Sequence, residues 1–169
     1  MPTNLELKIR LQDKTSTLGI IKEINAEFQG ELNQVDVYYK YRNGLLKLRL
    51  ENGSQTLIKY LRNEKSGARW SDYQLIKLEK NDARKYLSDI LEEEAVVEKK
   101  RFLYLYDNTR IHIDSVKGLG TFLELETLVI KGKEDASARF ERIIDLLLLD
   151  TKNEIRKSYR DLIMGLKEK

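Results

Sequence analysis

Residues Val97–Glu126 read VEKKRFLYLYDNTRIHIDSVKGLGTFLELE, and the periodicity of that run decides the fold. Two turn-like breaks, YDNT and KGLG, divide it into three stretches. In the second stretch Ile111 and Ile113 alternate with Arg110, His112 and Asp114; in the third, Leu123 and Leu125 alternate with Glu124 and Glu126. A period of two means strands with one apolar and one charged face. The breaks suit tight hairpins, because Asp-Asn and Asn-Gly tolerate the positive φ such turns require.

The same pattern extends outward along the chain. Leu5, Leu7, Ile9 and Leu11 oppose Asn4, Glu6, Lys8 and Arg10, and Leu46, Leu48 and Leu50 oppose Lys47, Arg49 and Glu51. Less regular strands fit around 29–41, 54–62, 69–79 and 96–106, with RNGL, ENGS and NEKSGA as separators. About eight strands joined mostly by hairpins predict an antiparallel barrel or sandwich. Helical spacing appears at 13–26, 81–93 (Ala83, Leu87, Ile90, Leu91) and 135–149. A last helix is expected from Thr151, with Glu154 completing a capping box. The helices' apolar stripes need an apolar surface, which the Leu/Ile faces of the strands supply. That leaves the charged faces either solvated, as on many antiparallel sheets, or turned into a tunnel.

Length and composition bound the rest. At 169 residues the chain fits one domain spanning 1–169. It has no cysteine, which removes thiol nucleophiles and thiolate zinc sites, and a single histidine, His112, which argues against a His-rich metal site or a Ser/His triad. No apolar run is long enough to span a membrane, and the opening MPTNLELK lacks a secretory leader, so a cytoplasmic protein is expected. A net charge of +3 does not predict a nucleic-acid partner. The charged fraction is 35%, and its placement carries the functional reading.

Read with their neighbours, the charged positions resemble a family. NLELK at Asn4–Lys8 resembles the E-x-E-x-K opening of CYTH domains, which include class IV adenylyl cyclases and thiamine triphosphatases. QVDVYY (Gln34–Tyr39), GLLKLRL (Gly44–Leu50) and LIKY (Leu57–Tyr60) are similar to the family's next strands. Val97–Glu126 is similar to its K-x-R, Asp, G-L-G and F-x-E-x-E stretch, and KSYRDLI (Lys157–Ile163) to its closing helix. The matches are collinear over nearly the whole chain. The resemblance implies an α+β fold, a closed eight-stranded antiparallel β-barrel (the triphosphate tunnel) with helices packed outside.

The resemblance and the strand faces together nominate a site. Lys8, Arg10, Lys47, Arg49, Lys59, Lys99, Arg101 and Arg110 fall on the face assigned to the lumen and would bind the phosphates. Lys8, Arg49 and Arg101 among them are the candidate catalytic cations. Arginine suits phosphate because its planar fork donates two hydrogen bonds at once, while lysine acts as a point charge. Glu6, Glu124, Glu126 and Asp114 are the candidate metal ligands. Their hard oxygens suit Mg²⁺ or Mn²⁺, which bridge carboxylates to substrate phosphates. Asn4 stands where the family has its first glutamate, which weakens the case for a second metal. His112 could act as an acid or base, or be a plain strand residue.

The expected activity is conversion of a small triphosphate such as ATP, tripolyphosphate or thiamine triphosphate. Hydrolysis and cyclisation of ATP both remain open, and a homodimer is compatible with either. The alternative is a non-catalytic module that binds nucleotides, polyphosphate or RNA ends. No G-x-x-x-x-G-K-[ST] sequence occurs, so this is not a P-loop protein.

Overall fold

Eight antiparallel strands close into a barrel in the computed structural model, which describes residues 1–62, 65–79 and 82–169. In chain order the elements are β1 (Thr3–Arg10), α1 (Lys14–Glu23), β2 (Glu27–Tyr39), β3 (Leu45–Glu51), β4 (Ser54–Arg62), β5 (Trp70–Leu78) and α2 (Ala83–Ile90). There follow β6 (Glu93–Tyr106), β7 (Thr109–Val116), β8 (Gly120–Leu128), α3 (Lys133–Leu146), a 3₁₀ turn (Thr151–Asn153) and α4 (Tyr159–Lys167). Around the barrel the order is β1-β5-β4-β3-β2-β6-β7-β8. Two meanders, β2 to β5 and β6 to β8, meet at the β2–β6 pair, and β1 closes the ring. Asn63 and Glu64 of the expected NEKSGA turn, and Asn81 of the expected second helix, lie outside the described residues.

The hairpins form where the dipeptides allow them. Asn52 and Gly53 (φ 46° and 80°) join β3 to β4, and Asp107 and Asn108 (φ 45° and 55°) join β6 to β7. Positive φ at both central residues matches the twist of the flanking strands. Gly44 enters β3 at φ 124°, where a β-carbon would lie 2.5 Å from the Tyr60 carbonyl oxygen, so glycine is required.

Outside the barrel, Ile21 of α1 and Ile143 of α3, with Leu147, bury against Leu7, Ile9, Ile111, Ile113, Leu123 and Leu125. Each of these side chains contributes roughly 1.5–3 kcal/mol by leaving water. Ala83, Leu87 and Leu91 pack over Val37, Tyr39 and Leu48. Ile90, expected on that same stripe, is exposed. The cause is local: α2 ends at Ile90 and Leu91 is already extended (φ −124°, ψ 146°), so the stripe's last turn never forms.

The barrel is unevenly sewn. β1 pairs with β8 over seven residues, Asn4 to Arg10, but with β5 over three, Thr3 to Leu5. Residues 155–156 fill the gap: the Ile155 amide donates to the Lys8 carbonyl at 2.7 Å, and Arg69 donates to the carbonyls of Ile155 and Arg156. This overturns the expected helix from Thr151. Asp150 caps only a 3₁₀ turn, and the chain then runs extended along β1. The capping box is Ser158 with Asp161, and it starts α4 at Tyr159. Among the described residues, no helix is long and apolar enough to cross a membrane.

Candidate functional site

With the aliphatic faces turned outward, period two sends the charged faces into the barrel. They line a cavity of about 240 Å³. One end is floored by aromatics delivered by α4: the Tyr159 ring meets Phe122 edge-on at 5.1 Å, and its hydroxyl donates to Asp114 at 2.8 Å. Tyr38 and Tyr60, with hydroxyls 3.3 Å apart, belong to the same buried cluster. Leu32, Leu75 and Leu103 also line the cavity, among the polar Gln34, Glu51, Ser71 and Tyr73.

Asp36 is the hub of the wall formed by β2, β3 and β6. Arg49 holds it with two hydrogen bonds of 2.7 and 2.8 Å, Lys47 reaches it at 2.8 Å and Lys99 at 2.9 Å. Burial alone would raise the Asp36 carboxyl, but Arg49, Lys47 and Lys99 outweigh it and hold the group well below the usual carboxylate range. Burial also lowers Lys47 and Lys99, and Asp36 opposes that only in part. Three cations on one carboxylate leave this wall with unspent positive charge.

The wall of β1, β7 and β8 carries the acids. Strand register sets Glu6 opposite Glu126, and Lys8 and His112 on either side of Glu124. Glu124 pairs with Lys8 at 3.3 Å and Arg101 at 2.8 Å, Glu126 with Arg110 at 2.8 Å, and Glu6 with Arg62 of β4 at 3.0 Å. Burial raises Glu6 beyond what Arg62 offsets. Burial pushes Glu126 upward too, yet Arg110, His112 and Arg101 pull it down to about 2. Glu124 is likewise held well below its usual value, with Lys8 the strongest influence against burial. Lys8, wholly enclosed, falls to about 8 through burial that Glu124 only partly offsets. Burial and then Arg101 lower His112.

This donor set fits a divalent cation. Glu124, Glu126 and His112 each place a ligand atom within 4.8 Å of the others. Asn4 Oδ1 and His112 Nδ1 are buried without a hydrogen-bond partner, an arrangement that usually signals a missing ion or water. Glu6 lines the same lumen but stands outside that trio.

Of the nominated cations, Lys8, Lys47, Arg49, Lys99, Arg101 and Arg110 all face the cavity. Two nominations are corrected by the geometry. Lys59 is exposed on the outer face of β4, where Ile58, Tyr60 and Arg62 take the lumen positions. Arg10 lies beyond the aromatic floor, stacked 4.6 Å over Phe122 and bonded to the Leu119 carbonyl. Asp114 is enclosed behind Arg101, which holds it through two bonds of 2.6 Å, and Tyr159 takes another of its lone pairs. It therefore positions Arg101 and does not line the cavity, where a metal ligand would have to stand. Asp36, Arg62 and Tyr159 went unnominated. Asp36 was readable, since V-D-V puts it on the face of Gln34 and Tyr38.

A closed antiparallel barrel with a cationic, acid-bearing lumen defines the triphosphate-tunnel class of fold. The chain belongs to the CYTH domain family, whose sequence model matches residues 2–159. It is 26% identical over 172 residues to the "Putative adenylate cyclase" of Methanocaldococcus jannaschii, covering 94% of this chain and 97% of that one. Among solved structures it is similar to the PH1012 protein of Pyrococcus horikoshii (TM-score 0.83, 20% identity, 94% and 98% of the two chains). It is also similar to the Hippeastrum "Putative adenylyl cyclase", described as having a dominant triphosphatase activity (TM-score 0.64, 12% identity, 99% and 96%). At these identities the structural matches establish the fold alone.

Proposed function

We propose that this chain is a metal-dependent phosphohydrolase of small triphosphates, with the phosphate chain lying along the Asp36 wall and Mg²⁺ or Mn²⁺ held by the facing carboxylates. The observation that carries the reading is the surplus of lumen cations over Asp36, set across the cavity from Glu124 and Glu126. Lys47, Arg49 and Lys99 would hold phosphate oxygens, and Arg101, fixed by Asp114, would present its guanidinium edge-on to them. In a partly dry lumen these contacts are stronger than on a surface, because the effective dielectric falls. The bound metal would offset charge developing on the leaving oxygen.

Hydrolysis and cyclisation differ in the nucleophile, water in one and a ribose hydroxyl in the other. Charged side chains would grip the phosphates, and the rest of the lining mixes Leu32, Leu75 and Leu103 with the polar Gln34, Ser71 and Tyr73. Cyclisation requires a ribose hydroxyl held in line, and that calls for polar contacts to the sugar. The M. jannaschii and Hippeastrum names agree with a triphosphate substrate.

The test is incubation with tripolyphosphate, ATP and thiamine triphosphate under Mg²⁺ or Mn²⁺, with products resolved by ³¹P NMR. Orthophosphate with the matching diphosphate is the expected outcome. Pyrophosphate with cyclic AMP from ATP would make the chain a cyclase, and tight binding without turnover a binding module.

A further inference from the structure

His112 sits on β7 directly across from Glu124 of β8, in the lumen that also holds Glu126. It is 3% exposed, and its Nδ1 is fully enclosed with no hydrogen-bond partner among the described residues. That nitrogen faces Glu124 at 3.9 Å and Glu126 at 4.0 Å. Both separations exceed a hydrogen bond. Both also fall within the span of one ion bound about 2.0–2.2 Å from each atom. An enclosed ring nitrogen with nothing to bond is costly, and two carboxylates converging on the same point show what would satisfy it. A plain strand histidine would hydrogen-bond one of its neighbours. Here Nδ1 stands 3.9 and 4.0 Å from the two carboxylates, longer than an ordinary hydrogen bond to either.

We propose that His112 is a direct metal ligand, acting through Nδ1 with Glu124 and Glu126, and that this nitrogen makes the site select a transition-metal cation, Mn²⁺, over Mg²⁺. The assignment rests on the metal-dependent reading of the tunnel and adds to it a ligand and a metal preference. Imidazole suits first-row transition metals, whereas Mg²⁺ takes oxygen ligands almost without exception. Asn4 is consistent with the same shift. Its neutral amide removes a carboxylate from the lumen, so the strongest remaining donors are those around His112.

The chain has one histidine, so any histidine nitrogen signal from untagged protein identifies His112. The experiment is electron spin-echo spectroscopy of Mn²⁺ added to untagged, substrate-free protein, prepared with natural and with ¹⁵N-labelled histidine. Mn²⁺ and Mg²⁺ affinities would be measured alongside by calorimetry. A nitrogen modulation that changes with the label is expected, together with a Mn²⁺ affinity about 10- to 100-fold weaker in His112→Gln and a much smaller change for Mg²⁺. Mn²⁺ that binds, depends on Glu124 and Glu126, and shows no histidine coupling would overturn the assignment. So would a wild-type protein that binds no Mn²⁺. Histidine coupling in a protein that turns over no triphosphate would uphold the ligand and count against the hydrolase reading alone.

Discussion

On the wall of β2, β3 and β6 Asp36 gathers Lys47, Arg49 and Lys99, while the wall's other carboxylate, Glu51, is bonded to the neutral Gln34; on the opposite side Glu6, Glu124 and Glu126 are each held by cations, Arg62, Lys8 with Arg101, and Arg110. The residue types are the same and the stoichiometry is not. Where cations outnumber the acid, the wall can accept a further anion without giving one up. Where every acid already has its cation, the proposed metal would enter by exchanging partners with Arg101, Arg110 or Lys8. On the proposed reading the tunnel would separate anion capacity from cation capacity by pairing alone.

Removing the acids should break the second wall with the largest effect. In Glu124→Gln and Glu126→Gln, metal affinity should fall at least about 100-fold and turnover with it, since even a ligand's supporting partners are worth about that much. Circular dichroism should show the barrel intact. Wild-type rates in a folded double variant would remove the carboxylates from the metal site.

Asp36→Asn attacks the first wall at its hub and should cost about 3–5 kcal/mol, because it strands enclosed cations. Asp36 titrates below the ordinary value of 3.8 when folded. Its contribution is therefore complete above that value and is lost as pH falls through the lower folded-state value. Urea midpoints of variant and wild type should converge in strong acid and diverge toward neutrality. Added tripolyphosphate should stabilise the variant more than the wild type. A gap independent of pH would show that Asp36 acts by packing.

A smaller step is Lys99→Ala, which should weaken tripolyphosphate binding by about 1.5–3 kcal/mol, as expected for a charge-assisted contact. Unchanged affinity by calorimetry would mean that the phosphates do not use this wall. Smallest of all, Lys59→Ala should leave affinity and turnover within about twofold, because exposed charges contribute little. A larger loss would mean that β4 turns its other face to the substrate.

Strand positions with clean alternation told their faces from sequence, and this is why Lys8, Lys47, Arg49 and the glutamates were legible, whereas Lys99 and Arg101, on a less regular strand, were legible only through the K-x-R resemblance. β4 was not. Leu57, Lys59 and Leu61 alternate with Ile58, Tyr60 and Arg62, so each face mixes apolar and basic residues, and the phase could be read either way. Arg10 keeps the correct parity, but depth along a strand is not encoded by parity, and the floor lies inward of it. Asp114 shares the lumen face of His112, yet what claims it, Tyr159, comes from 45 residues away. The late start of α4 was hidden because Thr151 and Glu154 imitate a capping box while the chain spends itself on β1.

The thin seam between β1 and β5 has a consequence for biosynthesis. β1 is synthesised well before its seven-residue partner, β8, which starts only at residue 120, and the backbone bond to Lys8 comes from Ile155. Until then the N-terminal strand has an open edge and a row of leucines with nothing to cover them, a template for aggregation. Ring closure must also meet the loop-closure entropy of joining β1 to β8, strands far apart in sequence, the kind of long-range pairing that slows folding. Nascent chains stalled before residue 155 should hold β1 unprotected in hydrogen exchange, and full release should protect it in a single late step.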